Sequence, residues 1–415
     1  MPFSLHGPAR LYIALRLSTA FVMATAFTTS AIYRIDVGDL SPFQLVLVGT
    51  VLELSVFLFE VPTGVVADTY SRRLSLIIGF AVIGIGLAIE GAFAFVGAIL
   101  FAQVIWALGY TFTSGATEAW LMDEAGEEAG EQALLRAAQF APVGSLIGIA
   151  LGASLAAVSL RIPYFFGAGG MALISLALLA IMREANFTPT PKSERGTFYD
   201  GWQTFQSGLD VVRSRSVLVL IMLISVGQGL WSEAFDRLWE LQFLENLAPF
   251  PFRADLNPVL WFGIINGAGL ILGIGAIEIM RRIIRGRDAT VLAASLGISA
   301  TAMGIGLATF ALAGSFALGV GAYLTVRIIY RMLDPLLIAW LNRGMERTVR
   351  ATVISMYGQM NAFGQITGGP VVGLIGSLAG VRTALFVSSL VLIPVVGLYG
   401  LATRASRKEL SATDQ

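Results

Sequence analysis

GVVADTYSRR, Gly64 to Arg73, interrupts an otherwise apolar part of the chain: PFQLVLVGTVLELSVFLFEVPT precedes it and LSLIIGFAVIGIGLAI follows it. Each flank carries roughly the 20 apolar residues that a helix needs to cross a hydrocarbon layer about 30 Å thick. The link holds one carboxylate, Asp68, and two guanidiniums, Arg72 and Arg73. A tight turn so equipped can latch two helix ends by charge-assisted hydrogen bonds. Positive anchors at a membrane surface are the other reading of the arginines, but an anchor needs no carboxylate.

The same alternation of apolar run and short polar link repeats along all 415 residues, of which 56% are hydrophobic and only 13% charged, with a mean hydropathy of +0.77. Soluble domains carry about 25% charged residues, so the composition describes an all-α polytopic membrane protein. Net charge is zero and no basic tract offers a surface to nucleic acid. With no cysteine and one histidine, His6, disulfides, thiolate nucleophiles and Cys- or His-based metal sites are excluded, and no cofactor is expected. The start, MPFSLHGPARLYIALRLSTAFVMATAF, has the features of a signal sequence, but the spans downstream favour a retained first helix.

Twelve spans are expected, near 11–32, 42–66, 74–92, 95–120, 134–158, 162–182, 216–243, 257–279, 289–311, 313–341, 350–375 and 381–402. Lys and Arg collect on cytoplasmic loops. With both termini cytoplasmic, Arg10, Arg72, Arg73, Arg136, Arg183, Lys192, Arg195, Arg281, Arg282, Arg343 and Arg404 fall on that side, and Arg34, Arg161, Arg253 and Arg382 on the other. The longest polar stretch, 183–215, divides a six-helix bundle at 1–182 from a second at 216–415, with a short interfacial helix expected around Gly201 to Val212. Two such halves suit an alternating-access carrier.

Gly64, Asp68, Arg72 and Arg73 resemble the Gly-x-x-x-Asp-x-x-Gly-Arg-Arg/Lys signature between helices two and three of the major facilitator superfamily, with Ser71 in place of the second glycine and Thr69 in place of a frequent basic residue. A shift of 209 residues places Gly64, Arg72 and Arg73 on Gly273, Arg281 and Arg282, and Asp68 on Ile277 beside Glu278, a degenerate echo. SGATEAWLMDE, Ser114 to Glu124, and SEAFDRLWE in the seventh span resemble segments of bacterial macrolide- and tetracycline-type drug-efflux carriers. GQITGGPVVG, Gly364 to Gly373, is similar to the Gly-Pro pattern of antiporters, which the family usually carries in helix five; the fifth span here has only PVGSLIGIALG. Gly144, Gly148 and Gly152 recur every four residues, a narrow face for close helix approach. Gly368, Gly369, Pro370 and Gly373 weaken helix continuity and suit packing or a gating bend.

In the architecture that the resemblance implies, helices one, four, seven and ten line a central cavity. Arg16 falls on the first, Glu118 on the fourth, Glu233, Asp236, Arg237 and Glu240 on the seventh, and Arg327, Arg331 and Asp334 on the tenth. A charge near the bilayer centre costs about 2.5 kcal/mol or more, so these groups face protein or water and find partners. The seventh-span charges follow helical spacing and form one stripe; Trp231, Phe235, Leu238 and Leu241 are then left to lipid or neighbouring helices, and Trp239 to the cavity border. Burial favours a neutral carboxyl and a neighbouring guanidinium a charged one. Asp236, beside Arg237, is therefore the first candidate for proton coupling, against the alternative that Arg237 pairs with Glu233 and Asp236 bonds across the bundle, which would make the stripe scaffold; Arg327 is expected to point across the cavity toward the seventh span. Arg331 with Asp334, and Arg16 with Glu118, are expected pairs. Glu90 falls near the end of its helix, within reach of solvent or an interhelical partner.

The resemblance implies a secondary active transporter, proton-coupled and exporting amphipathic organic molecules or drugs through a monomer in the cell membrane. Import or facilitated passage of a metabolite or lipid-like molecule is the alternative, and a non-transporting receptor or scaffold another. The chain lacks a Gly-x-x-x-x-Gly-Lys-Ser/Thr phosphate loop, and its lone histidine argues against a membrane enzyme.

Overall fold

A computed structural model of the chain describes residues 7–189, 209–210, 212–213, 215–247, 258–284, 289–341 and 347–413. Among them are 12 helices long and apolar enough to cross a membrane: α1 Gly7–Val37, α2 Pro42–Thr69, α3 Arg72–Ala92, α4 Val96–Ala125, α5 Glu127–Val158, α6 Ile162–Ile181, α7 Ser216–Asn246, α8 Pro258–Ile284, α9 Thr290–Leu312, α10 Phe316–Trp340, α11 Val353–Ala379 and α12 Val381–Ala405. Helices are the form such apolar runs must take, because in hydrocarbon each backbone N–H and C=O has to be satisfied within the segment. The expected interfacial helix around Gly201 to Val212 lies almost wholly outside the described residues, as do His6, Lys192, Arg195, Arg253, Arg343 and the side chain of Asp334.

Local chemistry sets several helix ends. Ser71, where the family pattern has glycine, is the N-cap of α3: at φ −176° and ψ 124° its Oγ accepts the Leu74 N–H at 2.9 Å. α1 runs past the expected end near residue 32 through a π-helical turn, Tyr33–Val37. α4 is interrupted at Gly115, whose φ of +70° a residue with a Cβ rarely adopts. α11 continues through Pro370, so helix continuity is kept there.

Contacts group the chain into two compact helical units. The first comprises Met1–Leu40, Val51–Thr197 and Leu256–Gly267; the second comprises Ser41–Thr50, Phe198–Asp255 and Ala268–Gln415. Each unit follows one half of the chain except at the starts of α2 and α8, a partition that a linear division at the linker does not contain.

Within the first unit α1 lies along α5 and α6, and α3 lies along α4 and α6. Its core includes Tyr12, Leu76, Phe80, Ile83, Trp120, Tyr164 and Met171. The close approach of α1 to α5 depends on the glycines spaced four apart: a Cβ on Gly144 would meet the Leu17 carbonyl at 2.5 Å, and Gly148 and Gly152 abut the carbonyls of Phe21 and Thr25. These are backbone contacts, and backbone cannot swing aside. Gly148→Val is expected to separate the two helices and destabilise the protein by about 1–3 kcal/mol, the usual cost of overpacking. Thermal unfolding in detergent measures it, and an unchanged midpoint would mean that α1 shifts freely.

The second unit uses the same device between α7 and α11, where Gly364 abuts the Val226 carbonyl, Gly229 abuts the Asn361 carbonyl, and a Cβ on Gly368 would meet Leu230 Cα at 2.9 Å. Gly369 and Gly373 let α11 approach the start of α2: their Cβ atoms would meet Thr50 Oγ1 at 2.7 Å and Val46 Cβ at 3.0 Å.

The units share one further feature. Arg161 donates from Nη1 to the Ala92 carbonyl at 2.8 Å, and Arg382 donates from Nη2 to the Ala313 carbonyl at 3.1 Å. Both residues of the first pair map onto the second by one shift of 221 residues (92 to 313, 161 to 382). In each unit the arginine at the start of the sixth helix therefore ties off the end of the third, satisfying carbonyls that a helix terminus leaves without intrahelical partners.

Candidate functional site

The polar stripe of α7 is held by residues from α10 and α2. Positions 233, 236, 237 and 240 share one helix face by their three- and four-residue spacing. Arg237 Nε donates to Glu233 Oε1 at 2.9 Å, and Arg327 Nη1, from α10, donates to Asp236 Oδ1 at 2.5 Å. The side chain of Glu233 is 2% exposed, whereas Asp236 is 31% and Arg327 25% exposed. Glu233 and Arg237 press on Gly49 of α2 so closely that no Cβ fits there. Asp236 thus has its ion-pair partner on another helix, and the Arg237 beside it in sequence is engaged by Glu233. One turn on, Glu240 is 8% exposed and its Oε2 has no hydrogen-bond partner.

Aromatic rings flank this charge cluster. The Arg327 guanidinium carbon lies 5.8 Å from the ring centroids of both Phe235 and Tyr323, within cation–π range. Trp239 stacks on Tyr323 at 4.4 Å and 26°. Trp231, Phe235, Leu238 and Leu241 are buried, at 0%, 0%, 0% and 5% exposure, so of lipid and neighbouring helices, the two expected surroundings, it is the helices that receive them. The reason is the breadth of packing on α7, which meets both α11 and α12. Trp239, at 2%, is core as well.

On α10, Arg331 is exposed, with its Cδ 2.9 Å from where a Cβ on Gly273 of α8 would stand. Its expected pairing with Asp334 falls on a side chain outside the described residues. Gly273 belongs to the degenerate echo; along the same helix Glu278 Oε2 accepts from Arg281 Nε at 3.0 Å and Oε1 from Arg282 Nε at 2.9 Å.

In the first unit the expected Arg16–Glu118 pair is absent among the described residues. Arg16 is exposed, and Glu118 Oε1 instead accepts from the Tyr12 hydroxyl at 3.2 Å. Tyr12 lies one turn before Arg16 on α1 and is 2% exposed, so it is the group that turns toward the α4 carboxylate. Trp120 is also core, its indole donating to the Arg183 carbonyl at 2.9 Å.

The turn between α2 and α3 is fastened to two other helix ends. Arg72 Nη1 donates to Asp123 of α4, while Arg72 Nη2 reaches Asp68 at 3.4 Å. Arg73 donates its backbone N–H to Glu184 at 3.0 Å and its Nη2 to the Leu179 carbonyl at 2.7 Å. Ser71 Oγ donates to Glu184 at 2.5 Å, so the residue that departs from the family pattern has two tasks, as cap and as fastener. Gly64 meets open space where a Cβ would stand. The partners Asp123 and Glu184 lie 51 and 113 residues from the groups they bind. No spacing rule reaches that far.

At the opposite end of this unit, Glu90 organises a buried network. Its Oε1 accepts from Arg34 Nε at 2.8 Å and the Tyr164 hydroxyl at 2.8 Å, and its Oε2 from Gln103 Nε2 at 2.7 Å. Glu90 is 2% and Arg34 4% exposed. Solvent therefore does not reach Glu90, and Arg34 lies inside a helix that continues to Val37 rather than in a loop beyond it.

The sequence pattern of the Major Facilitator Superfamily matches residues 15–368. The chain is 22% identical over 409 residues, covering 94% of itself and 98% of the relative, to a Bacillus subtilis (strain 168) protein named uncharacterized MFS-type transporter YxaM. Among solved structures it is similar to the nucleoside transporter NupG, with a TM-score of 0.77, 16% identity, and coverage of 96% of this chain and 99% of that one. A bacterial homolog of the human lysosomal transporter Spinster gives a TM-score of 0.77 at 13% identity, covering 97% and 98%. A POT family transporter in complex with a thioalcohol-conjugated peptide gives 0.72 at 14%, covering 94% of each chain. The fold and the family pattern agree: the chain belongs to the Major Facilitator Superfamily, as a multi-pass membrane transporter and not a catalytic enzyme.

Proposed function

We propose that the protein moves a small polar organic metabolite across the cell membrane by alternating access, coupled to protons through Asp236, with Arg327 as its counter-charge. One observation carries the reading. Of the two ion pairs on the α7 stripe, Glu233–Arg237 has its carboxylate sealed at 2% exposure, whereas Asp236–Arg327 joins two helices and leaves both side chains partly exposed, at 31% and 25%. A carboxylate that must gain and lose a proton needs a water path and a partner that can release it, and a cross-helix pair can part when the helices move. In this reading Asp236 takes up a proton when Arg327 turns away and gives it up when the pair re-forms. The turn of Asp68, Arg72 and Arg73 with Asp123 acts as the latch of one conformation, and the glycines of α5 and α11 serve packing. The chain acts as a monomer with both termini in the cytoplasm.

Support for a metabolite comes from the names of the structural relatives, which speak of nucleosides and peptides. Export of amphipathic drugs rests on the resemblance of Ser114–Glu124 and of Ser232–Glu240 to efflux carriers, and those names do not add to it. Proteoliposomes with an imposed pH gradient decide between coupling and scaffold. Asp236→Asn is expected to abolish gradient-driven accumulation while leaving exchange of substrate down its own gradient. Undiminished substrate-linked proton movement in Asp236→Asn would reject Asp236 as the coupling group.

A further inference from the structure

The start of α2 carries a glycine, Gly49, whose nearest neighbours are the polar ends of an ion pair. A Cβ there would collide with Glu233 Oε1 and Arg237 Nε and stand 2.7 Å from Arg237 Nη2. The backbone of α2 thus lies directly against the heads of the Glu233–Arg237 pair, with no side chain between. Gly369 of α11 approaches the stem of the same acid, its Cβ position 3.2 Å from Glu233 Cγ. Both helices therefore cover Glu233, which accounts for the 2% exposure of its side chain.

The α2 segment is seated on α11 by close apolar approach. Cβ positions on Gly373 lie 3.0 Å from Val46 Cβ and 3.2 Å from Phe43 Cα, and that on Gly376 lies 3.1 Å from Pro42 Cβ. One hydrogen bond, from the Phe43 N–H to Ser377 Oγ at 2.9 Å, joins the two helices. Dispersion contacts of this kind part and re-form without dismantling a polar network. Only Ser41–Thr50 groups with the second unit, and from Val51 the same helix belongs to the first. A helix divided between two compact units cannot keep both sets of contacts when the units move, so one set has to give way.

We propose that the start of α2 is a removable cover over Glu233: seated, it keeps water from the carboxylate, and lifted from α7 and α11 in the alternate conformation, it opens Glu233 to water and proton exchange. Glycine at position 49 lets the cover close on the intact ion pair. The charges within electrostatic reach of Glu233 are Arg237 and Asp236 of its own helix. Pro42–Thr50 of α2 and Val353–Ala379 of α11 contain no Asp, Glu, Lys, Arg or His; α12 carries only Arg382 and Arg404, at its two ends, and α10 contributes Arg327, which is bonded to Asp236. Cover and seat are thus uncharged, and lifting one from the other exposes no further ion. The stripe then holds two acids opened in different ways, Asp236 by the parting of Arg327 and Glu233 by the lifting of α2. The assignment rests on the alternating-access part of the reading above and not on Asp236.

Carboxyl footprinting tests the cover. The full chain in lipid nanodiscs is treated with a water-soluble carbodiimide and glycine ethyl ester, which convert water-exposed carboxyls to amides, and each site is read by tandem mass spectrometry. Asp236 is expected to label readily and Glu233 slowly. Gly49→Ala, whose methyl does not fit over the ion pair, is expected to raise the labelling of Glu233 about tenfold, the shift that a modest overpacking cost gives in a two-state equilibrium, and to leave Asp236 unchanged. The chain has no cysteine of its own, so Phe43→Cys/Ser377→Cys can be oxidised to pin the cover; the hydrogen bond between these residues holds their Cα atoms within about 7 Å, the reach of a disulfide. Oxidation is expected to suppress labelling of Glu233 and a reductant to restore it, a test that does not depend on Gly49→Ala folding. Labelling of Glu233 that is indifferent to oxidation, that equals Asp236 in the oxidised chain, or that fails to rise in folded Gly49→Ala would each overturn the assignment. Undiminished substrate-linked proton movement in Asp236→Asn removes Asp236 as the coupling group and leaves the cover standing, whereas failure of the labelling tests removes the cover alone.

Discussion

Glu90→Ala is expected to destabilise the protein by about 3–5 kcal/mol, the cost of removing one partner from a buried ion pair. The substitution takes from Arg34 its carboxylate in a site where Arg34 is 4% exposed, and it strips the Tyr164 hydroxyl and Gln103 Nε2 of the acceptors they use. The double variant Arg34→Met/Glu90→Met removes both charges and is expected to recover most of the loss, because well-packed apolar residues often replace a buried pair without penalty. Thermal unfolding of the detergent-solubilised chain and its two variants measures this. A single-variant midpoint within experimental error of the natural chain would refute the network as a stabilising element.

Arg327→Gln should be the most damaging single change on the transport stripe, with a loss of about 1.5–3 kcal/mol, the range for a hydrogen bond between charged groups, since the pair is only partly buried. It leaves Asp236 without its ion-pair partner beside Glu240, whose Oε2 already lacks one, and it removes the cation that lies over Phe235 and Tyr323. Coupled transport should fall with stability. Asp236→Asn/Arg327→Gln separates the two effects: the double variant is expected to regain stability, because no lone charge remains, but not coupling. A double-mutant cycle on unfolding reads the interaction directly. Additive losses would show that the pair contributes nothing beyond its separate members.

Much of this was legible in the residues, and the part that was not has a common cause. The twelve spans follow from apolar length, and the stripe on α7 from three- and four-residue spacing, both local properties. The Glu233–Arg237 pair follows from four-residue spacing, and Arg327 is expected to reach toward the seventh span; that it is Asp236, 91 residues away, that receives it is set by how α7 and α10 pack. Ser71 read as a departure from the family pattern, and only its contacts with Leu74 and Glu184 explain it. Glu90 and Arg34 looked peripheral because helix ends were placed by hydropathy, and hydropathy breaks at a charge whether the charge meets water or a partner.

By itself the sequence determined the material and the class: apolar runs of membrane length can satisfy their backbones only as helices, and the turn at Gly64 to Arg73 with the family pattern over residues 15–368 identifies which helical transporter they build. The tertiary structure alone decided which acid meets which base across helices, and which glycines face a carbonyl. Those choices bring together groups far apart in the chain, 51 residues for Arg72 and Asp123 and 91 for Arg327 and Asp236, and only the packing of whole helices sets distances on that scale.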